Sequence, residues 1–134
     1  MDTSDNTSTF RFDDAILHLG TASSTVVRAF TWDQIGDYAE LAAPDGAAGR
    51  MVTMGRQEAD WTSWERHPAG EELVLLISGR VDLIQELDGK EHRIELTAGT
   101  GVLNPPGVWH TSDVHEPGDA LFITPGMGTE HKPR

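Results

Sequence analysis

The stretch EELVLLISGRVDLIQELDGKEHRIEL, residues 71–96, decides the fold of this chain. Residues 72–78 form a run of apolar and β-branched side chains that predicts a β-strand, and Gly79 ends it. Residues 80–87 and 92–96 are two further candidate strands. Asp88-Gly89 between them is a favoured pair for a tight hairpin turn. The middle of the chain is therefore predicted to consist of short strands that follow one another closely.

The same pattern extends in both directions from this stretch. Further strands are predicted at residues 10–19, 25–30, 50–57, 61–67, 102–103, 108–114 and 120–124. Pro106-Gly107 fits the central pair of a type II turn. Thr31 and Gln34 have the spacing of a capping box, which favours one short helix through residues 38–41, with a strand as the alternative. Many short strands with frequent turns predict an all-β sandwich or barrel.

The rest of the chain is assigned to loops and ends. Residues 43–49 are predicted to be a loop because they contain Pro, Asp and Gly. Residues 1–9 are polar and are expected to form a flexible N-terminus, and the Gly/Pro-rich residues 125–134 form the tail. No linker divides the remainder, so residues 10–134 are predicted to form one domain.

Composition excludes several classes of function. The 134 residues include 22 acidic and 10 basic side chains, for a net charge of −12, which disfavours binding to nucleic acid or to an anionic membrane. There is no cysteine, so disulfides and thiolate chemistry are excluded, and a metal would need His and carboxylate ligands. The N-terminus lacks the pattern of a signal peptide, and we expect a cytoplasmic protein.

The strand at residues 72–78 is apolar on both faces. If Glu72 points inward, Val74 and Leu76 do so too, because strand side chains alternate. Leu73 and Leu75 then point outward although they are equally apolar, so both faces should be covered. Either the N-terminal segment or a second protomer can provide the cover, and we favour a homodimer.

Four side chains are predicted to converge on one point. Glu65 and His67 lie two residues apart and share a face of their strand, and Glu72 begins the next strand after a short loop. His110 follows the Pro-Pro-Gly turn and can supply a fourth group. Imidazole and carboxylate ligands suit zinc, and open sites of this kind also suit iron, manganese, nickel or cobalt.

These residues resemble two motifs of the cupin superfamily, G-x5-H-x-H-x3-4-E-x6-G and G-x5-P-x-G-x2-H-x3-N. The first reads here as Glu65-x-His67-x4-Glu72-x6-Gly79, and the second as Gly99-x5-Pro105-x-Gly107-x2-His110-x3-Val114. The resemblance covers about residues 50–124 and is to small single-domain microbial cupins. It implies a double-stranded β-helix, or jelly-roll barrel, with a site in the barrel mouth.

The resemblance transfers the metal-ligand role to His67, Glu72 and His110. The first His of the family motif is Glu65 here, and the final Asn is Val114. Two imidazoles and two carboxylates favour a hard divalent ion such as Fe(II), Mn(II) or Zn(II). Some cupins bind no metal, so Glu65 is interpreted in three ways: a metal ligand, a catalytic general base, or an inert replacement.

Other side chains near the motifs are assigned by strand alternation. Trp61, Ser63 and Ser112 share the inward parity and are candidate contacts for a bound molecule, Trp61 as an aromatic wall. Trp64 and Trp109 should pack on the outer face. The remaining histidines match no motif and are interpreted as surface or turn residues; they are His18, His92, His115 and His131.

Three functions remain open at this point. The first is a metal-dependent cupin enzyme that acts on a small organic molecule as an oxygenase, isomerase or lyase. The second is a metal-free module that binds a sugar or another small molecule without catalysis. The third is metal-free acid/base catalysis, such as epimerisation, with His67 or His110 as the base. The fold by itself does not choose among them.

Overall fold

The computed structural model describes residues 9–134, and in this part of the chain it contains eleven β-strands and one α-helix. The α-helix, α1, spans Ile35–Ala42, and 3-10 helices span Trp32–Gln34 and Ala43–Ala48. The strands are β1 (Ala15–Leu19), β2 (Thr25–Ala29), β3 (Arg50–Gln57), β4 (Ser63–Arg66), β5 (Glu72–Leu76), β6 (Arg80–Leu87), β7 (Lys90–Thr97), β8 (Gly101–Asn104), β9 (His110–Glu116), β10 (Gly118–Pro125) and β11 (Glu130–Pro133). The prediction of a mostly β fold with one short helix is confirmed. Eight of the nine residues of the predicted flexible N-terminus, residues 1–8, lie outside the described residues.

The strands form two antiparallel sheets. One has six strands in the order β2-β1-β3-β10-β5-β8, and the other has five in the order β11-β4-β9-β6-β7. Strands that are distant in sequence, such as β3 and β10, are neighbours in space and pair along their whole length. This arrangement is the predicted jelly-roll barrel, and it places the ends of β4, β5 and β9 close together.

The hydrophobic core lies between the two sheets. Val74 and Leu76 on β5 are buried with Glu72, so the predicted alternation along this strand is confirmed. They pack against apolar side chains of the opposite sheet and of β10: Val81, Leu83, Leu96 and Ala120. Alternation in β5 therefore turns Glu72 into the interior along with the apolar residues.

Two glycines explain turns that position the site. Gly79 has φ +89°, and a Cβ there would lie 2.5 Å from the carbonyl oxygen of Glu116, so a side chain is excluded. Gly107 has φ +73°, and the Val108 N–H donates to the Pro105 carbonyl at 3.2 Å. This is the predicted type II turn, and it leads directly into β9.

The N-terminal part differs from the prediction in detail. The helix is present, and the Thr31 N–H donates to Gln34 Oε1 at 2.9 Å, as a capping box requires. Residues 43–49 were predicted to be a loop, but Ala43–Ala48 forms short 3-10 turns on either side of a kink at Gly46 (φ +54°), with Pro44 accommodated at the start of the first turn. The strand predicted from residue 10 begins only at Ala15.

One other prediction was wrong, and one strand was not predicted. His18 is not a surface residue: it is buried on β1, where Nδ1 hydrogen-bonds the Tyr38 hydroxyl at 2.9 Å and Nε2 lies 2.6 Å from Asp45 Oδ2. The Gly/Pro-rich tail contains the strand β11, which was not predicted and which pairs with β4, with His131 opposite Glu65. Both partnerships join residues far apart in sequence, where local composition carries no signal.

Candidate metal centre

The four predicted metal ligands lie on or directly after strands of both sheets: β4 and β9 in the five-stranded sheet and β5 in the six-stranded sheet. Glu65 lies in β4 directly opposite His110, the first residue of β9. His67 follows the end of β4, and Glu72 begins β5. One potential ligand atom from each of the four residues lies within 4.8 Å of the other three. The structure thus brings together the residues that the motif spacing selected.

Glu72 lies between the two imidazoles. Its Oε2 is 3.1 Å from His67 Nε2, and its Oε1 is 3.1 Å from His110 Nε2. Glu65 Oε1 is 3.2 Å from His67 Nε2 and 3.9 Å from His110 Nε2. The space between these four side chains is large enough for one ion but not for an extended ligand.

The Nε2 atoms of both imidazoles are directed at the space between these side chains. His67 Nε2 and His110 Nε2 are buried and make no hydrogen bond within the described residues. The Nδ1 atoms are held from behind: His67 Nδ1 is 2.9 Å from Thr129 Oγ1, and His110 Nδ1 is 3.4 Å from the Val108 carbonyl. A tautomer that donates from Nδ1 leaves each Nε2 with a free lone pair, which is how metal-binding histidines are oriented.

The two buried nitrogens face carboxylate oxygens at 3.1–3.2 Å without making a hydrogen bond, and a cation between them would satisfy both kinds of atom. Two imidazole nitrogens and two carboxylates form a donor set that suits a divalent ion of the first transition series or zinc. The residues present therefore fit a metal, and the fit rests on these two histidine nitrogens. The donor set does not distinguish iron, manganese, zinc, nickel and cobalt.

Polar side chains from two neighbouring strands fix the carboxylate of Glu72. Asn104 Nδ2 donates to Glu72 Oε1 at 3.1 Å, and the Thr124 hydroxyl donates to Oε2 at 2.6 Å. Gln85 Nε2 in turn donates to Asn104 Oδ1 at 2.8 Å. Each oxygen of Glu72 is thus oriented before any ion arrives, which lowers the cost of ordering a metal site.

The pKa values of Glu72 and His67 are shifted by the opposite charges that face them in the centre. Burial opposes ionisation of Glu72, but the imidazoles of His110 and His67 outweigh it and hold the pKa of Glu72 well below its usual range. Burial also opposes a positive charge on His67, yet Glu65 and Glu72 outweigh it and raise the pKa of His67 to about 9. The carboxylates attract a positive charge to this point, and a proton and a metal ion would compete for it.

Glu65 differs from the other three residues because it reaches the solvent side. Its side chain is 23% exposed, whereas the other three are almost fully buried. Its Oε2 lies 3.2 Å from His131 Nε2 on β11. Its predicted role as a metal ligand or catalytic base stays a prediction, but its position between the ion site and an open cavity is compatible with both.

A cavity of about 1070 Å³ opens beside the centre, and Glu65, His67 and Glu72 line one end of it. Trp61 also lines the cavity, and its indole N–H donates to Gln57 Oε1 at 2.9 Å. Neither Ser63 nor Ser112 is among the lining residues. Ser112 is buried opposite Leu83 in the barrel core, so inward parity did not place it beside the cavity.

The sequence interpretation missed several residues that support the centre. Asn104, Thr124 and Gln85 lie on other strands, and Thr129 and His131 lie in the tail. The position of Asn104 opposite Glu72 on paired strands was accessible in principle, once β5 and β8 were known to pair. The tail residues had no such signal.

The match to a protein family agrees with this geometry. The family model for the cupin domain matches residues 51–124. The chain belongs to the cupin domain family. In this cupin, the motif residues His67, Glu72 and His110 occupy the predicted centre, and Gly79 and Gly107 form the turns that the motifs imply.

Solved structures show the same fold at low sequence identity. A protein with a double-stranded β-helix domain from Klebsiella pneumoniae subsp. pneumoniae MGH 78578 has a TM-score of 0.53 and 21% identity, over 63% of this cupin and 76% of that chain. A cupin-2 domain protein from Shewanella frigidimarina NCIMB 400 has a TM-score of 0.50 and 21% identity, over 57% and 70%. Hydroxypropylphosphonic acid epoxidase from S. wedmorenis has a TM-score of 0.50 and 12% identity, and this cupin spans only 44% of it. These similarities show the fold.

No curated protein is significantly similar to this cupin in sequence. Within residues 9–134, none of the helices has the length and apolar character needed to span a membrane.

Proposed function

We propose that this cupin is a metal-dependent enzyme that acts on a small organic molecule in the cavity beside Glu65, His67, Glu72 and His110. The convergence of two buried imidazole nitrogens, which make no hydrogen bond, on two carboxylates supports the proposal most directly. The cavity supports it further, because it gives a molecule access to the same point. The ion would be Fe, Mn or Zn, with Ni or Co as further possibilities, by the chemistry of the donor set.

The four residues would have different chemical roles, which follow from how deeply each is buried. His67, His110 and Glu72 would hold the ion, because they are fixed from behind and closed to solvent. When bound, the metal would supply Lewis-acid or redox chemistry at a substrate oxygen. Glu65, on the cavity side, would complete the ligand set or take a proton from the substrate at its carboxylate. Oxygenase, isomerase and lyase reactions are all compatible with these roles.

Titration of the metal-free protein with Zn²⁺ and Mn²⁺ tests this proposal. We expect one ion per chain, and loss of binding in Glu72→Gln, because that change removes a charged ligand while the side chain keeps its shape. Glu71→Gln is the matched control, because Glu71 is adjacent but exposed and should bind metal normally. Equal metal binding by Glu72→Gln and the parent would contradict the proposal.

The cavity also supports the alternative of a metal-free binding module. At about 1070 Å³ it is slightly larger than the roughly 300–1,000 Å³ found for ligand sites, so it can hold a molecule with or without an ion. A protein that binds a small molecule tightly but takes up no metal would favour this alternative.

We also infer that the protein is a homodimer. The outer face of the six-stranded sheet carries apolar side chains on three adjacent strands, and these are cross-strand neighbours: Leu73, Leu75, Leu103, Leu121 and Ile123. These positions carry no charge, so two copies can meet there despite a net charge of −12 each. In light scattering, Leu103→Glu should shift the protein to a monomer. Met127→Glu, at a side chain of similar exposure (50% against 53%) away from this face, should not.

A further inference from the structure

The cavity is only partly built by the barrel that the family model matches. Residues before Met51 contribute ten of its lining residues: Phe12, Asp13, Ala15, Ile16, Phe30, Thr31, Trp32, Ile35, Tyr38 and Ala39. The segment from residue 12 to the end of the second 3-10 helix, residues 12–48, is called the N-terminal layer below. The layer lies outside the matched region, so this wall of the cavity is a feature that this chain adds to the barrel.

The N-terminal layer is firmly attached, so its wall is a fixed surface. β1 extends the six-stranded sheet by pairing with β3, and Met51 on β3 packs in one cluster with Ile16, Phe30, Tyr38 and Ala42. His18 connects β1 to α1 and to the second 3-10 helix through Tyr38 and Asp45. The wall is therefore held by a buried core and by buried hydrogen bonds.

The chemistry of this wall is apolar and aromatic. Of its ten residues, only Asp13 is charged, and none is a lysine, arginine or histidine that would recognise a phosphate or a carboxylate. In the layer, Phe30 and Trp32 meet edge to face with ring centroids 5.2 Å apart. In the barrel, Trp61 and Phe122 also line the cavity, with ring centroids 6.3 Å apart. Aromatic side chains thus face the cavity from both the layer and the barrel.

The rim of the cavity is also apolar and is exposed. Trp32 and Ile35 in the layer are 67% and 47% exposed, and Met127 in the tail is 50% exposed. Exposed apolar side chains gathered around a cavity are typical of a ligand site, because a bound apolar molecule removes them from water. The barrel and the tail supply most of the polar groups of the cavity: Glu65, His67 and Glu72 at the centre, and Arg56, Gln57 and His131 elsewhere in the lining.

We infer that the N-terminal layer determines substrate specificity, and that it binds the uncharged aromatic body of a molecule whose oxygen-bearing end reaches the metal centre. The placement of the oxygen-bearing end at the metal centre rests on the proposed function. The aromatic subsite in the layer does not depend on that function. The volume of about 1070 Å³ accommodates a molecule larger than a single ring. Sugars would find few hydrogen-bonding partners along this wall.

Calorimetric titration of the full chain, loaded with Zn²⁺, tests the inference with 2-naphthol as the aromatic probe and D-glucose as the polar one. We expect saturable binding of 2-naphthol and none of D-glucose at the same concentration. Trp32→Ala combined with Ile35→Ala should weaken 2-naphthol about 10-fold, because apolar contact area is lost at the rim. The Zn²⁺ stoichiometry should not change.

Ile77→Ala is the matched control, because Ile77 is 46% exposed, almost the same as Ile35, but does not line the cavity. It should bind 2-naphthol like the parent. Unchanged naphthol affinity in the double variant, or an equal loss in Ile77→Ala, would overturn the inference even if Zn²⁺ still binds. If Zn²⁺ does not bind but the naphthol affinity still depends on Trp32 and Ile35, the aromatic subsite is supported and the metal-dependent function fails.

Discussion

The main-chain N–H of Gly107 donates a hydrogen bond to the carbonyl oxygen of His67, at 3.2 Å. One residue belongs to the turn of the second motif and the other is a proposed ligand from the first. The same carbonyl also accepts from the Gly70 N–H at 3.4 Å, so His67 is held where β4 ends. The two motifs are thus connected through the backbone as well as through the centre that they share.

Replacing Gly107 should disturb both the turn and the centre. Gly107→Ala places a side chain at φ +73°, where no atom lies within 4 Å of the new Cβ, so the cost is backbone strain and not a clash. We expect a loss of about 1–2 kcal/mol in the free energy of unfolding, measured with urea, and weaker binding of Zn²⁺. Gly36→Ala, in α1 and also without close neighbours, should not be destabilising. Equal stability of the two variants would argue against a strained turn.

The hydrogen bond from Thr129 to His67 should tune metal affinity. Thr129→Val removes the partner of His67 Nδ1 while keeping the size of the side chain. Loss of such an orienting contact typically costs about 10–100-fold in metal affinity, and we expect a Zn²⁺ dissociation constant raised within that range. Thr25→Val, on an exposed position of β2 that does not line the cavity, is the control. If both variants bind Zn²⁺ like the parent, Thr129 has no orienting role.

The metal-free protein should lose stability as the solution becomes alkaline. The pKa of His67 is raised from 6.5 to about 9 in the folded protein, so the stabilisation from its proton is complete below pH 6.5 and is lost as the pH rises through 9. The loss should be on the order of 3 kcal/mol or less, since one pKa unit corresponds to about 1.4 kcal/mol. Urea unfolding across this pH range measures it.

One variant and one control test whether His67 causes this pH dependence of stability. His67→Gln should flatten the decline in stability between about pH 6.5 and 9, whereas His92→Gln, on the exposed part of β7, should leave it unchanged. A metal-free parent that keeps constant stability across this range would contradict the charge balance described for His67, Glu65 and Glu72.

The buried hydrogen bond between Tyr38 and His18 should anchor the N-terminal layer. Burial, followed by the charge of Asp45, raises the pKa of Tyr38, so its hydroxyl stays protonated and can donate. Tyr38→Phe leaves the buried Nδ1 of His18 without this partner and should cost about 1–3 kcal/mol of stability. Thr21→Val removes an exposed hydrogen bond to the same Asp45 and should cost clearly less. Comparable losses in the two variants would rule out a special role for the buried bond.

Strand alternation and motif spacing predicted the centre because both depend only on residues that are close together in sequence. Glu72, Val74 and Leu76 share one face of β5 as expected, and the spacing of the turns placed His67 and His110 at strand ends that meet. Regular strands convert sequence spacing into direction. Ser112 shows the limit of this reasoning: it points inward, but into the packed core rather than to the cavity.

The missed features depend on partners far along the chain. β11 includes Lys132 and Pro133 and has little strand propensity of its own; it forms at the edge of a sheet by pairing with β4, where proline is tolerated. His18 is buried because Tyr38 and Asp45, 20 and 27 residues away, satisfy both of its ring nitrogens. Neither partner could be identified from sequence spacing.

The central claim is that His67, His110 and the two glutamates hold a divalent metal ion. The most direct test is elemental analysis of the protein purified without an affinity tag or chelator, beside His110→Ala prepared in the same way. The account predicts close to one Fe, Mn, Zn, Ni or Co per chain in the parent and almost none in the variant, with both proteins folded by circular dichroism. Absence of metal in the parent, with no thermal stabilisation when divalent ions are added, would contradict it.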